Sequence, residues 1–212
     1  MIETLIFDLD GTLIDPRRDF FNSLNRAMVD FDLEPFQKMA QVGRFLGPGV
    51  AYMVNTVLPE ERQHEAPRFI EHYRSIYREH CLDETTLYSG VLETLPRIEG
   101  RKMAIATNKP GYLARHILDG FEIGSYFPLI VSPDDVAKPK PDPEIIELSL
   151  HRLDARRETT MIIGDSYCDI ESGQAARLVT CGAAYGFNDR SVLEPLKPDY
   201  LIDRFEQLLD II

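Results

Sequence analysis

At 212 residues, with 44% apolar and 27% charged side chains, the chain has the size of one domain, or of a core carrying an insertion. Its formal charge of −12, from 23 basic and 35 acidic residues, argues against nucleic acid and anionic membranes as partners. No run approaches the roughly 18 consecutive apolar residues of a transmembrane helix, and the start at Met1-Ile2-Glu3 lacks the basic and apolar regions of a signal peptide.

In chain order, the first predicted element is a buried strand over Thr4–Leu9 that runs into Asp8 and Asp10. Side chains alternate along an extended chain, so these two aspartates project together. They stand at the C-terminal end of the strand, where open parallel sheets hold their sites. Two carboxylates held together repel each other, so a cation or a shared proton is expected. Gly11 lets the backbone turn sharply beneath a ligand. Taken alone, the same residues read as a strand end and an Asx-type turn.

From about residue 17 to 83 no strand pattern occurs, and apolar residues recur at helical spacing: Phe20, Leu24, Ala27, Met28 and Phe31, then Phe69, Tyr73, Ile76 and Tyr77. This predicts an inserted helical subdomain over 16–83, with a core formed by 1–15 and 84–212 and hinges near Asp15-Pro16 and Asp83–Gly90. Thereafter short apolar strands at Lys102–Ala106, Leu129–Val131, Thr160–Ile163, Val179–Ala184 and Tyr200–Ile202 alternate with helical patterns. The helical patterns are Tyr112–Leu118, Glu144–Leu153, Asp169–Leu178 and Phe205–Ile211. That βαβ rhythm predicts an α/β fold, a doubly wound, mostly parallel, Rossmann-like sheet with the helical insertion.

Three more strand ends carry chemistry. Thr107-Asn108, ahead of Lys109-Pro110-Gly111 at a helix start, offers a hydroxyl, an amide and free N–H groups as an anion cradle, or serves as a plain helix cap. In Ala137-Lys138-Pro139-Lys140-Pro141-Asp142-Pro143 the prolines stiffen the loop and fix the base of a lysine. Gly164-Asp165-Ser166-Tyr167-Cys168-Asp169 adds Asp165 on the loop itself and Asp169 at a helix start, where it can also act as a cap. Oxygen ligands with room for water and a phosphate suit Mg²⁺ rather than zinc or copper. The three cysteines (Cys81, Cys168 and Cys181) have no metal-ligand spacing and fit reduced thiols in a cytoplasmic protein. The five histidines show no partner spacing and read as helix-surface residues.

The set DLDGTL, Thr107-Asn108, KPKPDP and GDSYCD resembles the phosphatases of the haloacid dehalogenase superfamily, across essentially the whole chain and in the family's order. It is most similar to the branch with a helical cap after the first motif, which includes phosphoglycolate phosphatases. The resemblance implies that Asp8 attacks phosphorus to form an aspartyl-phosphate and that Asp10 protonates the leaving alcohol, then deprotonates water. It implies Mg²⁺ on Asp8, on Asp10 through its backbone carbonyl, and on Asp165. It further implies phosphoryl oxygens on Thr107 and Asn108, a charge-offsetting lysine, and Asp169 orienting ligands or water. Both Lys138 and Lys140 fit the family's Lys-Pro-x-Pro pattern; the register to Gly164-Asp165 favours Lys140. In the cap, Gly43-Arg44-Phe45-Leu46-Gly47-Pro48-Gly49 resembles the loop that faces the site in this branch, which makes Arg44 either a substrate contact or a surface arginine of a helix turn.

The expected partner is a small phosphorylated substrate, with no nucleic acid and no membrane, for a monomer or homodimer. A dehalogenase would lack the second acid, so Asp10 and Asp165 argue against it. Pyrophosphate hydrolysis and phosphosugar mutation share the core residues and stay open, and a phosphonate hydrolase would have only Lys38 as a cap lysine. A signalling receiver uses similar groups but is little more than half this length and has no cap.

Overall fold

The computed structural model describes residues 1–41, 45 and 49–212, which divide into two compact units: Met1–Asp15 with Leu87–Ile212, and Pro16–Thr86. The first unit is a six-stranded sheet in the order β5-β4-β1-β6-β7-β8, parallel throughout. Its strands are β1 (Thr4–Phe7), β4 (Lys102–Ala106), β5 (Leu129–Val131), β6 (Thr160–Gly164), β7 (Val179–Ala183) and β8 (Tyr200–Ile202). The short strands β2 (Ile14–Asp15) and β3 (Thr86–Leu87) pair separately. The longer helices are α1 (Arg17–Asp30), α2 (Val50–Val57) and α3 (Ala66–His80) in the second unit, and α4 (Val91–Ile98), α5 (Gly111–Gly120), α6 (Glu144–Leu153) and α7 (Tyr167–Ala175) in the first.

β1 is central, with Phe7 opposite Ile105 of β4 on one side and Ile163 of β6 on the other. From β1 the chain proceeds outward through β4 and β5, then crosses back to β6 and continues the other way. The switch in direction therefore falls between β1 and β6, the crevice where ligands of such sheets bind. Both faces of β1 are covered, which is why its sequence runs apolar without alternation. Ile6 packs with Val131, Ile145, Ile146 and Ile162, while the Phe7 ring lies 5.8 Å from Phe127 and 6.0 Å from Phe205.

The structure departs from the expected elements at their ends. β1 stops at Phe7, so Leu9 and Asp10 already belong to a turn, in which Gly11 N–H donates to Ile14 O at 2.8 Å. The segment Phe205–Asp210 is a 3₁₀ helix rather than an α-helix. Chain return to the first unit falls at Leu87, against residue 84 read from the sequence.

In the second unit, α1 buries Phe20, Leu24, Ala27 and Met28, and α3 buries Phe69, Tyr73, Ile76 and Tyr77. Both sets repeat at i, i+4, i+7, i+8, one stripe per helix, and they meet through aromatic edges such as Phe31–Phe69 (5.0 Å) and Phe20–Tyr73 (5.9 Å). His72 and His80 have carboxylate partners after all, Asp30 at 2.7 Å and Asp83 at 2.8 Å.

A buried carboxylate ties this unit's two ends together. Asp19 on α1 accepts from Glu84 N–H (2.9 Å), Thr85 N–H (2.8 Å) and the Thr85 hydroxyl (2.7 Å). Asp19→Ala strands these donors and is expected to cost about 2–4 kcal/mol in urea unfolding. A loss below about 0.5 kcal/mol, the range of an ordinary surface change, would mean that the donors find other partners.

Candidate active site

The turn after β1 is the site's floor. Asp8 is buried, and its N–H donates to Ile163 O at 2.9 Å, which extends the β1–β6 ladder by one residue. Gly11 adopts φ +88°, and a Cβ there would run into the Asp165 carboxylate. Gly164, at the end of β6, leaves room in the same way for the Asp169 carboxylate. Only residues without a side chain let these two loops approach so closely.

After β6, Asp165 is buried, with Oδ2 accepting from Phe187 N–H at 2.7 Å and its carbonyl accepting from Asn188 Nδ2 at 3.0 Å. Asp169, fully buried in the first turn of α7, forms a capping box: its Oδ2 accepts from Ser166 N–H (3.1 Å) and Oγ (2.6 Å). Its second oxygen, Oδ1, lies 2.6 Å from Lys140 Nζ.

Lys140 Nζ also sits 3.0 Å from Asp8 Oδ1 and donates to Ala106 O at 2.6 Å, so a side chain only 1% exposed has all three protons directed. Lys138 is 73% exposed and faces Asp142 at 3.7 Å, away from this group. Of the two lysines open from sequence, only Lys140 stands in the cluster. Asn108 explains how its base is held: the side-chain amide donates to Lys140 O and accepts from Lys140 N–H, both at 3.0 Å. The Asn108 amide was expected to face phosphate; here it clasps the lysine loop. Thr107 is buried, and its Oγ accepts from Lys109 N–H at 3.1 Å.

The Asp10 carboxylate has a different partner, whereas the cation contact expected of Asp10 runs through its backbone carbonyl. Asp8, Asp165 and Asp169 bring one carboxylate oxygen each within 4.8 Å of one another, and Asp10 is not among them. Its Oδ2 instead lies 3.0 Å from Lys109 Nζ. Arg44 lies outside the described residues. In the sequence, Lys109 reads only as part of a helix start. The end of β7, where Tyr185-Gly186-Phe187-Asn188 supplies the donors to Asp165, carries no motif of its own. Both were findable: each follows a parallel strand on the sheet edge already carrying the other groups.

Three buried carboxylates face one ammonium, and the balance shows in their acidities. Asp8 is pushed up to about 7, first by burial and then by Asp169 and Asp10, against the pull of Lys140. Burial, then Asp169 and Asp8, likewise raise Asp165 well above the usual carboxylate range. Burial works against the Lys140 ammonium, yet Asp169 and Asp8 outweigh it and hold the group charged. Unrelieved negative charge among hard oxygen donors is what a divalent cation neutralises, so this donor set fits one. By contrast, the nearby Cys168 thiol is pushed by burial up to about 11 and is not a nucleophile at neutral pH.

A family model described as haloacid dehalogenase-like hydrolase matches residues 5–183. The chain is 35% identical over 219 residues to a protein of Pectobacterium atrosepticum named phosphoglycolate phosphatase, covering 100% of this chain and 92% of that one. It is 30% identical over 213 residues to the pyrophosphatase PpaX of Bacillus mycoides, covering 100% and 97%. The crystal structure of a predicted phosphoglycolate phosphatase from Haemophilus somnus superposes with a TM-score of 0.89 at 27% identity, over 99% of this chain and 97% of that one.

Proposed function

From the premise that this chain belongs to the haloacid dehalogenase-like hydrolase family, we propose a Mg²⁺-dependent phosphatase acting on a small, phosphoglycolate-like phosphomonoester through an aspartyl-phosphate on Asp8. The observation that carries this reading is Lys140, buried between Asp8 (3.0 Å) and Asp169 (2.6 Å) beside a three-carboxylate cluster at the sheet's switch point. A carboxylate in need of a counter-charge, beside a fixed ammonium, is suited to attack a phosphate dianion that it would otherwise repel.

Asp8 attacks phosphorus; the bond from phosphorus to the leaving oxygen breaks as Asp10 gives that oxygen a proton. Water then attacks the acyl phosphate, Asp10 takes a proton from that water, and phosphate and free Asp8 result. Thr107 holds a phosphoryl oxygen. Asn108 acts through Lys140 by clasping its backbone. Asp8 and Asp165 would hold Mg²⁺ with the Asp10 carbonyl, and Asp169 would orient the lysine and ligand waters. When bound, the cation supplies the largest positive charge in the site, which reconciles a protein of charge −12 with an anionic substrate.

The test is phosphate release from a panel of phosphoglycolate, pyrophosphate, hexose phosphates, nucleotides and an aryl phosphate, with and without chelator. Phosphoglycolate is expected to be preferred, chelation to abolish turnover, and Mg²⁺ to restore it better than Ca²⁺, whose looser coordination disturbs in-line transfer. Preference for pyrophosphate would reassign the substrate to that of the second relative; full activity in excess chelator would sink the metal-dependent reading.

A further inference from the structure

Two lysines meet two carboxylates at the end of β1. Lys140 holds Asp8; Lys109 holds Asp10, with Nζ 3.0 Å from Oδ2 and a side chain only 7% exposed. Lys109 is itself fixed from behind, because its N–H donates to Thr107 Oγ at 3.1 Å and Pro110 precedes α5. The other Asp10 oxygen, Oδ1, is buried and finds no hydrogen-bond partner among the described residues. A buried carboxylate oxygen without a donor is costly, and Oδ1 is the Asp10 atom left open to a reacting oxygen.

We propose that Lys109 is a positioning residue for proton transfer: by pinning Asp10 Oδ2 it directs Oδ1 at the leaving-group oxygen. This rests on the phosphatase reading above. The two oxygens of Asp10 then divide the work. Oδ2 is spent on orientation, and Oδ1 carries the proton to the ester oxygen as its bond to phosphorus breaks. Without Lys109 the carboxyl group rotates, and a small misplacement of an acid costs on the order of 10²-fold in rate.

Leaving-group dependence separates positioning of an acid from general support of the site. A poor leaving group such as an alkoxide needs the proton as the ester bond breaks, whereas a nitrophenolate departs without it. kcat/KM is the quantity to read, since it reports the steps up to the first irreversible one, excluding later hydrolysis of the acyl phosphate in which Asp10 also takes part. Across alkyl, phenyl and dinitrophenyl phosphates, Lys109→Met is expected to lose on the order of 10²-fold on the alkyl ester and less than about threefold on the dinitrophenyl ester. Lys109→Arg, which keeps the charge, is expected to recover most of the loss. In an Asp10→Asn background Lys109→Met is expected to add nothing, because the group it positions is gone.

Equal losses on every ester, or no loss, would overturn the proposal, as would an undiminished effect in the Asp10→Asn background. A thermal melt of each variant checks folding, and Lys109→Arg carries the test if Lys109→Met does not fold: it must then stay within about threefold of wild type on all three esters. Wild-type protein inactive on every ester marks the failure of the phosphatase reading, recognisable before any variant is compared, and it takes this inference with it.

Discussion

Asp8→Asn is expected to lower phosphate release by about four orders of magnitude or more, since an amide cannot form the acyl phosphate and removal of a nucleophile is among the largest single losses known. The same change is expected to raise stability when metal is absent. Asp8 is pushed up to about 7 in the folded chain, first by burial, against about 3.9 when unfolded. A carboxyl raised in this way contributes stability that is complete below the unfolded value and lost as pH rises through the folded one. At pH 8 in chelator the wild type therefore carries the penalty, while asparagine has no charge to bury. Lys140 keeps Asp169 at 2.6 Å as its partner, so the variant does not orphan the ammonium. The expected signature is a melting temperature at least about 2 °C above wild type at pH 8, roughly 1 kcal/mol for a chain of this size, with the difference closing towards pH 4. A variant retaining a tenth of wild-type turnover would sink the covalent mechanism; one less stable than wild type at pH 8 would mean that Asp8 is not the carboxyl bearing the excess charge.

Lys140→Met is expected to do the opposite. It removes the one ammonium in the cluster and leaves Asp8, Asp169 and the Ala106 carbonyl without their shared donor. Breaking a buried pair in this way costs about 3–5 kcal/mol, because the remaining charge stays buried. For a chain of this length that is about 10 °C in melting temperature. Turnover should fall by about 10²–10³-fold from the loss of transition-state charge stabilisation alone. Added Mg²⁺ is expected to recover part of the stability and little of the rate, since it relieves the carboxylates without replacing a fixed ammonium beside Asp8. Lys138→Met is the control: at 73% exposure it should change stability by less than about 0.5 kcal/mol. If the two variants melt together, the buried bridge does not hold the site.

The amino-acid sequence determined by itself those features that local periodicity encodes. The apolar run into Asp8 marked a strand covered on both faces, because a central parallel strand has no polar side to alternate with. The repeated i, i+4, i+7, i+8 stripes of Phe20–Met28 and Phe69–Tyr77 marked two helices that could only bury their faces on each other. Asp8, Lys140, Asp165 and Asp169 were all found from their positions after predicted strands, since a parallel sheet gathers its strand ends on one edge. What tertiary structure alone decided is which atom faces which. Lys138 and Lys140 both fit the Lys-Pro-x-Pro pattern, with register favouring Lys140, and what fixes Lys140 in place is the Asn108 side chain 32 residues away, which clasps its backbone through both halves of the amide. The Asp10 carboxylate meets Lys109 rather than the other three because the chain turns at Leu9, so alternation along an extended strand no longer governs its direction. Asp169 joined the cluster because Gly164 lacks the Cβ that would have excluded it. Periodicity reports which face a residue occupies within its own element; the partner it meets there is set by sheet order and loop geometry, which bring together residues far apart along the chain.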